Sequence, residues 1–241
     1  MVSLTSWAES DIGRKRANNE DCYLYDLDLG LFMVADGMGG HKGGDRASSI
    51  AIKVTRATYE KKLSENIDAD QALKVAFLEA AKEVYRQSLR HADLRGMGTT
   101  LSALAFFSNR ANIAHIGDSR IYCFRNDTLH QLTSDHSLVN EQIQAGIMTI
   151  EEANTSSLKN IITRAIGHKE KVSADYFSVP VEVNDIFLLC TDGLNNMVLD
   201  SGILKLLRRF EPKRAIRQLI LEANLRGGED NITVILVHVG S

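Results

Sequence analysis

Proline is almost missing from this chain: Pro180 and Pro212 are the only two in 241 residues. No low-complexity stretch, linker or repeat accompanies them, so 1–241 reads as a single domain. Cysteine is scarce too, with Cys22, Cys123 and Cys190 far apart, odd in number and set among apolar neighbours. That pattern excludes a disulfide framework and a thiolate zinc site, and fits buried free thiols in a reducing compartment. No apolar run approaches the roughly 20 residues of a membrane span. The first ten residues hold no basic stretch followed by an apolar one, so no signal peptide is expected and the expected location is cytoplasmic. Excess positive charge is also lacking. The net charge of −3 gives no electrostatic reason to expect nucleic acid or a membrane surface as a partner.

What is present is 44% apolar and 24% charged, ordinary values for a globular protein with a real core. Short apolar runs at 31–35, 99–107, 111–116, 121–124, 186–190 and 232–239 have the length and turn-rich borders of buried strands. Helical spacing places Leu73, Ala76, Phe77, Ala80 and Val84 on one face. Ile203, Leu206, Leu207 and Phe210 share another, and Ile216, Leu219, Ile220 and Ala223 continue beyond a break at Pro212. A further helix is expected over 45–62. The strand runs come in adjacent pairs without strict β-α alternation, which favours antiparallel sheets covered by helices. Residues 134–167 are polar and weakly periodic, and are expected to form a helical, mobile insertion.

Four aspartates share one local pattern. Asp36, Asp118 and Asp192 each follow an apolar run, and Asp230 stands just before one. If those strand ends converge, four carboxylates meet at one sheet edge. Such crowding needs compensation, and an all-oxygen set suits Mg²⁺ or Mn²⁺, whereas zinc favours His or Cys. Gly37 and Gly193 follow two of these aspartates and allow a sharp turn and close approach of a main-chain carbonyl. Any one Asp-Gly pair alone reads equally as a plain turn. The glycines at 37–44 match neither a Gly-Lys-Ser/Thr ending nor Gly-x-Gly-x-x-Gly, so a nucleotide loop is excluded.

Seven segments occur in a recognisable order: Asp11-Ile-Gly-Arg-Lys-Arg-Ala-Asn-Asn-Glu-Asp21, Val34-Ala-Asp-Gly-Met-Gly-Gly-His41, Gly96-Met-Gly-Thr-Thr100, Ala114-His-Ile-Gly-Asp-Ser-Arg-Ile-Tyr122, Leu132-Thr-Ser-Asp-His136, Leu189-Cys-Thr-Asp-Gly-Leu194 and Gly228-Glu-Asp-Asn-Ile-Thr233. Together they resemble the type-2C, metal-dependent serine/threonine protein phosphatases, most closely the short bacterial members. The resemblance implies an α+β fold, a four-layer α-β-β-α sandwich of two antiparallel sheets flanked by helices. It implies two Mn²⁺ or Mg²⁺ ions at one end, with a third, weaker ion. By motif position Asp36 bridges the two ions and Gly37 offers its carbonyl. Asp192 and Asp230 are ligands, and Asp118 serves the third ion with Asp192. Glu20, Asp21 and Asn231 stand behind the ligands.

The reaction so implied is hydrolysis of phosphoserine and phosphothreonine by a water that the ions activate for in-line attack. No cysteine heads the Cys-x5-Arg pattern of thiol-based phosphatases. Arg16 occupies the family's phosphate-binding position, where a planar fork suits phosphoryl oxygens; Arg14 is a neighbouring candidate. Met38 stands where many relatives have histidine, which leaves His41 or a water as proton donor. His115 reads as a satisfied core histidine, and His136 borders the insertion. Expected partners are phosphorylated proteins and a cognate serine/threonine kinase, with the enzyme a monomer. A catalytically dead binding module is the competing reading, and its signature, loss of a metal aspartate, is not seen.

Overall fold

The computed structural model describes residues 2–39, 43–149, 152–153 and 156–241. Ten strands form two five-stranded sheets. In the first, β1 (Ser3–Asp11), β12 (Ile232–Gly240), β11 (Ile186–Cys190), β8 (Arg120–Arg125) and β9 (Thr128–Gln131) lie in that order. In the second the order is β10 (Asp175–Pro180), β7 (Arg110–Ile116), β6 (Leu101–Phe107), β3 (Leu31–Ala35) and β2 (Cys22–Asp26). Every neighbouring pair is antiparallel. A two-stranded ribbon, β4 (Gly37–Met38) with β5 (Gly98–Thr99), sits beside them.

The sheets stack, and a helical layer covers each outer face. Along β3, Phe32 and Val34 point between the sheets, while Leu31, Met33 and Ala35 meet helices α1 (Gly44–Ser64) and α2 (Ala69–Arg90). Along β11, Phe187 and Leu189 point between the sheets. Ile186, Leu188 and Cys190 meet α5 (Asp200–Arg209) and α6 (Pro212–Leu225). Both faces of these strands are therefore dry, which is why they read as unbroken apolar runs. Each fully buried large side chain there stabilises the fold by roughly 1.5–3 kcal/mol. Alanines Ala47, Ala51, Ala72 and Ala76 let α1 and α2 approach closely. Pro212 stands in the first turn of α6, where its missing N–H costs nothing.

The α+β four-layer expectation is met, with some local differences. The run 99–107 divides at Thr100 into β5 and β6, because Thr100 turns aside to hold the Asp36 backbone. The segment 134–167 holds a short helix, α3 (Leu138–Gln144), and is otherwise mostly turns among the described residues. The isolated bridge Ser137–Ile162 closes the segment on itself, and Thr99–Ile166 fastens it to the body. No helix among the described residues is long and apolar enough to cross a membrane.

Topology decides where the aspartates go. β3 and β7 both run antiparallel to β6, so Ala35 and Ile116 end at the same edge. Cys190 at the end of β11 pairs with Val234 near the start of β12 and with Arg120 at the start of β8. The connection 117–119 therefore crosses from one sheet to the other at that same end.

Candidate metal centre

Asp36 emerges from β3 with its backbone held from both sides. Its N–H donates to Thr100 Oγ1 at 2.9 Å, and its carbonyl accepts from the Thr100 N–H at 2.9 Å and from Thr99 Oγ1 at 2.8 Å. Thr100 Oγ1 also bonds Ser119 Oγ at 2.8 Å, next to Asp118, so one threonine joins the loops of two acidic residues. Replacing Thr100 by valine keeps the shape but strands a buried N–H, which costs roughly 1–3 kcal/mol. The expected result is a lower melting temperature and a tenfold or greater rise in the Mn²⁺ concentration needed for half-maximal turnover. Wild-type values for both in the Thr100→Val protein would remove this clamp from the account.

The glycines flanking the aspartates are explained differently from the sequence expectation. Gly37 makes no sharp left-handed turn; it lies in the extended ribbon opposite Thr99. A Cβ there would overlap the carbonyl oxygens of Gly44 and Glu20, so glycine is required by close approach. Gly193 likewise faces the Asn231 carbonyl, and Asp192 begins the single-turn helix α4 (Asp192–Asn195).

Asp21, expected only to stand behind the ligands, reaches deep into the cluster. One of its oxygens, Oδ2, accepts from Thr191 Oγ1 at 2.8 Å and Thr233 Oγ1 at 2.7 Å. Asn231 fixes the loop before it: Oδ1 accepts from the Glu20 N–H, and Nδ2 donates to the carbonyls of Ile12 and Asn18. Asp230 accepts from Arg16 Nη2 at 2.5 Å. His41 lies outside the described residues. Met38 lines the cleft, and no histidine does so among the described residues.

The electrostatics show how crowded these acids are. Burial, then the charges of Asp192, Asp21, Asp118 and Asp230, hold the Asp36 carboxyl well above the usual range. Burial pushes Asp192 up to about 6, Asp230 adds to it, and a hydrogen bond with Asp36 opposes it. Asp21 is pushed up to about 7 by burial, against the two threonine hydroxyls. Asp118 is raised by burial and then by Asp192. Each is a statement that the carboxylate form lacks a positive partner. Arg120 does not supply one, being spent on a bidentate pair with Asp135 at 2.7–3.0 Å.

A hard divalent cation fits this set. Asp21 Oδ1, Asp118 Oδ1 and Asp192 Oδ1 are sealed from solvent and have no hydrogen-bond partner. All candidate donors are oxygens. Among the described residues no three acidic, His or Cys side chains already stand in a closed ligand geometry. The charge of Asp192 is the first of the carboxylates that raise Asp36, which places these two acids at the centre of the cluster. The cleft above them, about 530 Å³, is bounded by Arg16 on one side and by Asn160 and Ile162 of the insertion on the other. A second hollow of about 690 Å³ shares Asp118 and Asp192 with it and extends between α3 and the start of α5.

The remaining predicted residues fall elsewhere. His115 is buried, its Nδ1 bonded to Ser102 Oγ at 2.9 Å and its Nε2 to the Ser134 carbonyl at 3.2 Å, and burial lowers its pKa to about 3. It is the satisfied core histidine expected. His136 accepts the Gly117 N–H at Nδ1 and donates from Nε2 to Asp175, tying the insertion to the loop before Asp118. Burial raises Cys123 to about 11 and Cys190 to about 12, which suits inert thiols. Sequence reasoning missed Thr99, Thr100, Thr191 and Thr233 as the hydroxyls that hold the acids. Their only signal was their place inside the recognised motifs.

Residues 13–224 match the family described as Protein phosphatase 2C. Protein phosphatase PhpP of Streptococcus pneumoniae serotype 2 is 40% identical over 232 residues, 95% of this chain and 94% of that one. Serine/threonine phosphatase stp of Listeria monocytogenes serotype 4b is 41% identical over 237 residues, 95% of this chain and 93% of that one. Among solved structures, the serine/threonine phosphatase PstP/Ppp of Mycobacterium tuberculosis superposes with a TM-score of 0.93 at 35% identity, covering all of both chains. The catalytic domain of PstP in complex with two manganese ions gives 0.88 at 36%, again covering all of both. Acids gathered at one end of a two-sheet sandwich and matches along nearly the whole length lead to one conclusion: this chain belongs to the protein phosphatase 2C family.

Proposed function

We propose that this protein, a metal-dependent serine/threonine phosphatase, works through a centre built on Asp36, with the Gly37 carbonyl, Asp192 and Asp230 completing the ligands of two ions. Asp118 and Asp192 would hold a third. The observation that carries this reading is the set of sealed, unpartnered oxygens on Asp21, Asp118 and Asp192. Mn²⁺ fits the set, and Mg²⁺ fits by the same oxygen chemistry. When bound, the ions supply an activated water and neutralise developing charge.

The chain's own residues do the positioning. Thr99 and Thr100 hold Asp36, Thr191 and Thr233 hold Asp21, and Asn231 holds the loop that carries Arg16 and Glu20. Asp230 anchors one nitrogen of Arg16 and leaves Nε and Nη1 to face phosphoryl oxygens. His41 is the side chain proposed to give the leaving alkoxide its proton, with water as the alternative donor. We extend the reading to the rest of the biology: one catalytic domain over 1–241, a cytoplasmic monomer, phosphoprotein substrates and a cognate serine/threonine kinase.

Phosphate release from a phosphothreonine peptide and a phosphotyrosine peptide tests this. With Mn²⁺ the first is hydrolysed and the second scarcely. Excess chelator removes the activity and added Mn²⁺ restores it. A rate undiminished in chelator would sink the metal mechanism.

A further inference from the structure

The corner between α5 and α6 carries a charge that catalysis does not use. Six of the chain's 28 basic residues fall within 205–217, beside one acidic residue, Glu211, in a protein whose net charge is −3. Lys205, Arg208, Arg209, Lys213, Arg214 and Arg217 are all exposed. Arg208 pairs with Asp127 and Arg217 reaches Glu9 at 3.8 Å, whereas the other four have no carboxylate within 4 Å among the described residues. Two of those four are held in place. The Arg209 and Arg214 guanidinium groups lie 5.2 Å and 4.9 Å from the centroid of the Phe210 ring. Together with Arg208 they line a shallow hollow of about 340 Å³.

Stacking on an aromatic ring orients a guanidinium without consuming its hydrogen-bond donors. The three guanidinium groups around the hollow outnumber its one carboxylate, Glu211, so it keeps an excess of positive charge that an incoming anion would offset. The same corner holds the start of α6, whose N-cap residue Glu211 makes no side-chain cap hydrogen bond, so the N–H groups of its first turn are not met by that carboxylate. The hollow also touches Ile186, the first residue of β11. Cys190, at the other end of that strand, leads directly to Asp192. The corner therefore lies at least about 13 Å from the metal centre, at 3.3 Å per strand residue. An occupant there cannot reach the reacting phosphate.

We propose that the Arg209–Phe210–Arg214 corner is a docking surface for an acidic, Asp/Glu-rich segment of a phosphoprotein substrate, remote from the dephosphorylated residue. The surface is too open to enclose a small anion, and its row of exposed cations matches an extended acidic chain. The proposal rests on the phosphatase reading only in naming the partner as a substrate.

The test uses two peptides, each a phosphothreonine followed by about 20 Gly/Ser residues, a flexible reach of roughly 25 Å. One ends in eight Asp/Glu residues and the other in eight Asn/Gln. For the wild type at low salt, the acidic tail lowers KM about tenfold and leaves kcat unchanged. The Arg209→Gln/Arg214→Gln protein loses that advantage but turns over the neutral-tailed peptide normally. A Lys82→Gln/Arg86→Gln protein, with the same charge removed from exposed positions on α2, keeps it. Equal KM for both tails in the wild type, or an advantage that survives in the Arg209/Arg214 variant, overturns the proposal. Anisotropy of the fluorescent acidic segment alone, with metal-stripped protein, decides the matter independently of turnover: binding that falls in the Arg209/Arg214 variant supports docking, and no binding refutes it.

Discussion

Replacing Asp36 by asparagine is expected to lower Mn²⁺-dependent hydrolysis of a phosphothreonine peptide by about 10³-fold or more, at least about 4 kcal/mol of barrier. The same substitution is expected to raise the melting temperature of the metal-free protein at neutral pH. Both follow from one feature. Asp36 sits where burial and four other carboxylates oppose its charge, so its ionised form is tolerated only with a cation. Asparagine keeps the shape and the backbone clamp by Thr99 and Thr100. It removes a negative charge from among the other four acids and puts a neutral amide, able to donate, in its place. A stabilised but inactive protein is the signature of a functional acid placed against the interests of the fold. Turnover within tenfold of wild type, or a metal-free protein that melts lower, would contradict the role given to Asp36.

The second large effect is a stability that falls with rising pH when metal is removed. Asp21 titrates near 7 and Asp192 near 6, against an ordinary value of 3.8, and Asp36 and Asp118 lie above the usual range as well. The folded state therefore binds these protons more tightly than the unfolded state. Their contribution is fully present below the ordinary carboxylate range and is lost as pH climbs through the raised values. His115 and His136 act with the opposite sign, since their lowered values make folding more favourable as pH rises to 6.5. Above 6.5 the histidine contribution is complete and the carboxylates are left alone. Between pH 6.5 and about 8 the chelated protein should lose at least about 1.4 kcal/mol, the equivalent of one pK unit. Saturating Mn²⁺ reverses the slope, because ions and protons compete for the same oxygens. At 100 times its dissociation constant an ion adds about 2.7 kcal/mol. Thermal melts across that window, with chelator and with Mn²⁺, give the comparison. A chelated protein whose stability is flat or rising over that range would show that the acids are not mutually strained.

Much of this was legible in the linear order of residues, for a physical reason. Strands with both faces buried must be apolar at every position, so 31–35 and 186–190 appear in the sequence with the same bounds that β3 and β11 have in the fold. Chain ends of such strands are where polar groups first become tolerable, and that is where Asp36, Asp118, Asp192 and Asp230 stand. Strands β1, β2, β9 and β10 escaped notice because they lie at sheet edges, where one face stays partly wet. Ser3–Asp11 mixes hydroxyl, acidic and aromatic residues accordingly. Of the helical reading of 134–167, α3 is found; the rest of the segment, among the described residues, is mostly turns tied to the body by the Thr99–Ile166 bridge and by His136, contacts that leave no periodicity.

By itself, then, the sequence determined the apolar strands, the main helices, the four aspartates at strand ends and the family they belong to. Each of those depends on residue type within a short window. Only the tertiary structure decided that β3, β7 and β11 end at the same edge, that Asp21 joins the cluster as a deeply held acid gripped by the Thr191 and Thr233 hydroxyls, and that Thr99 and Thr100 hold the backbone of Asp36. It also decided why Gly37 must be glycine: the backbones of Gly44 and Glu20 pass where its side chain would be. Strand order and close backbone approach arise between segments far apart in the chain, and no local pattern of polarity encodes them.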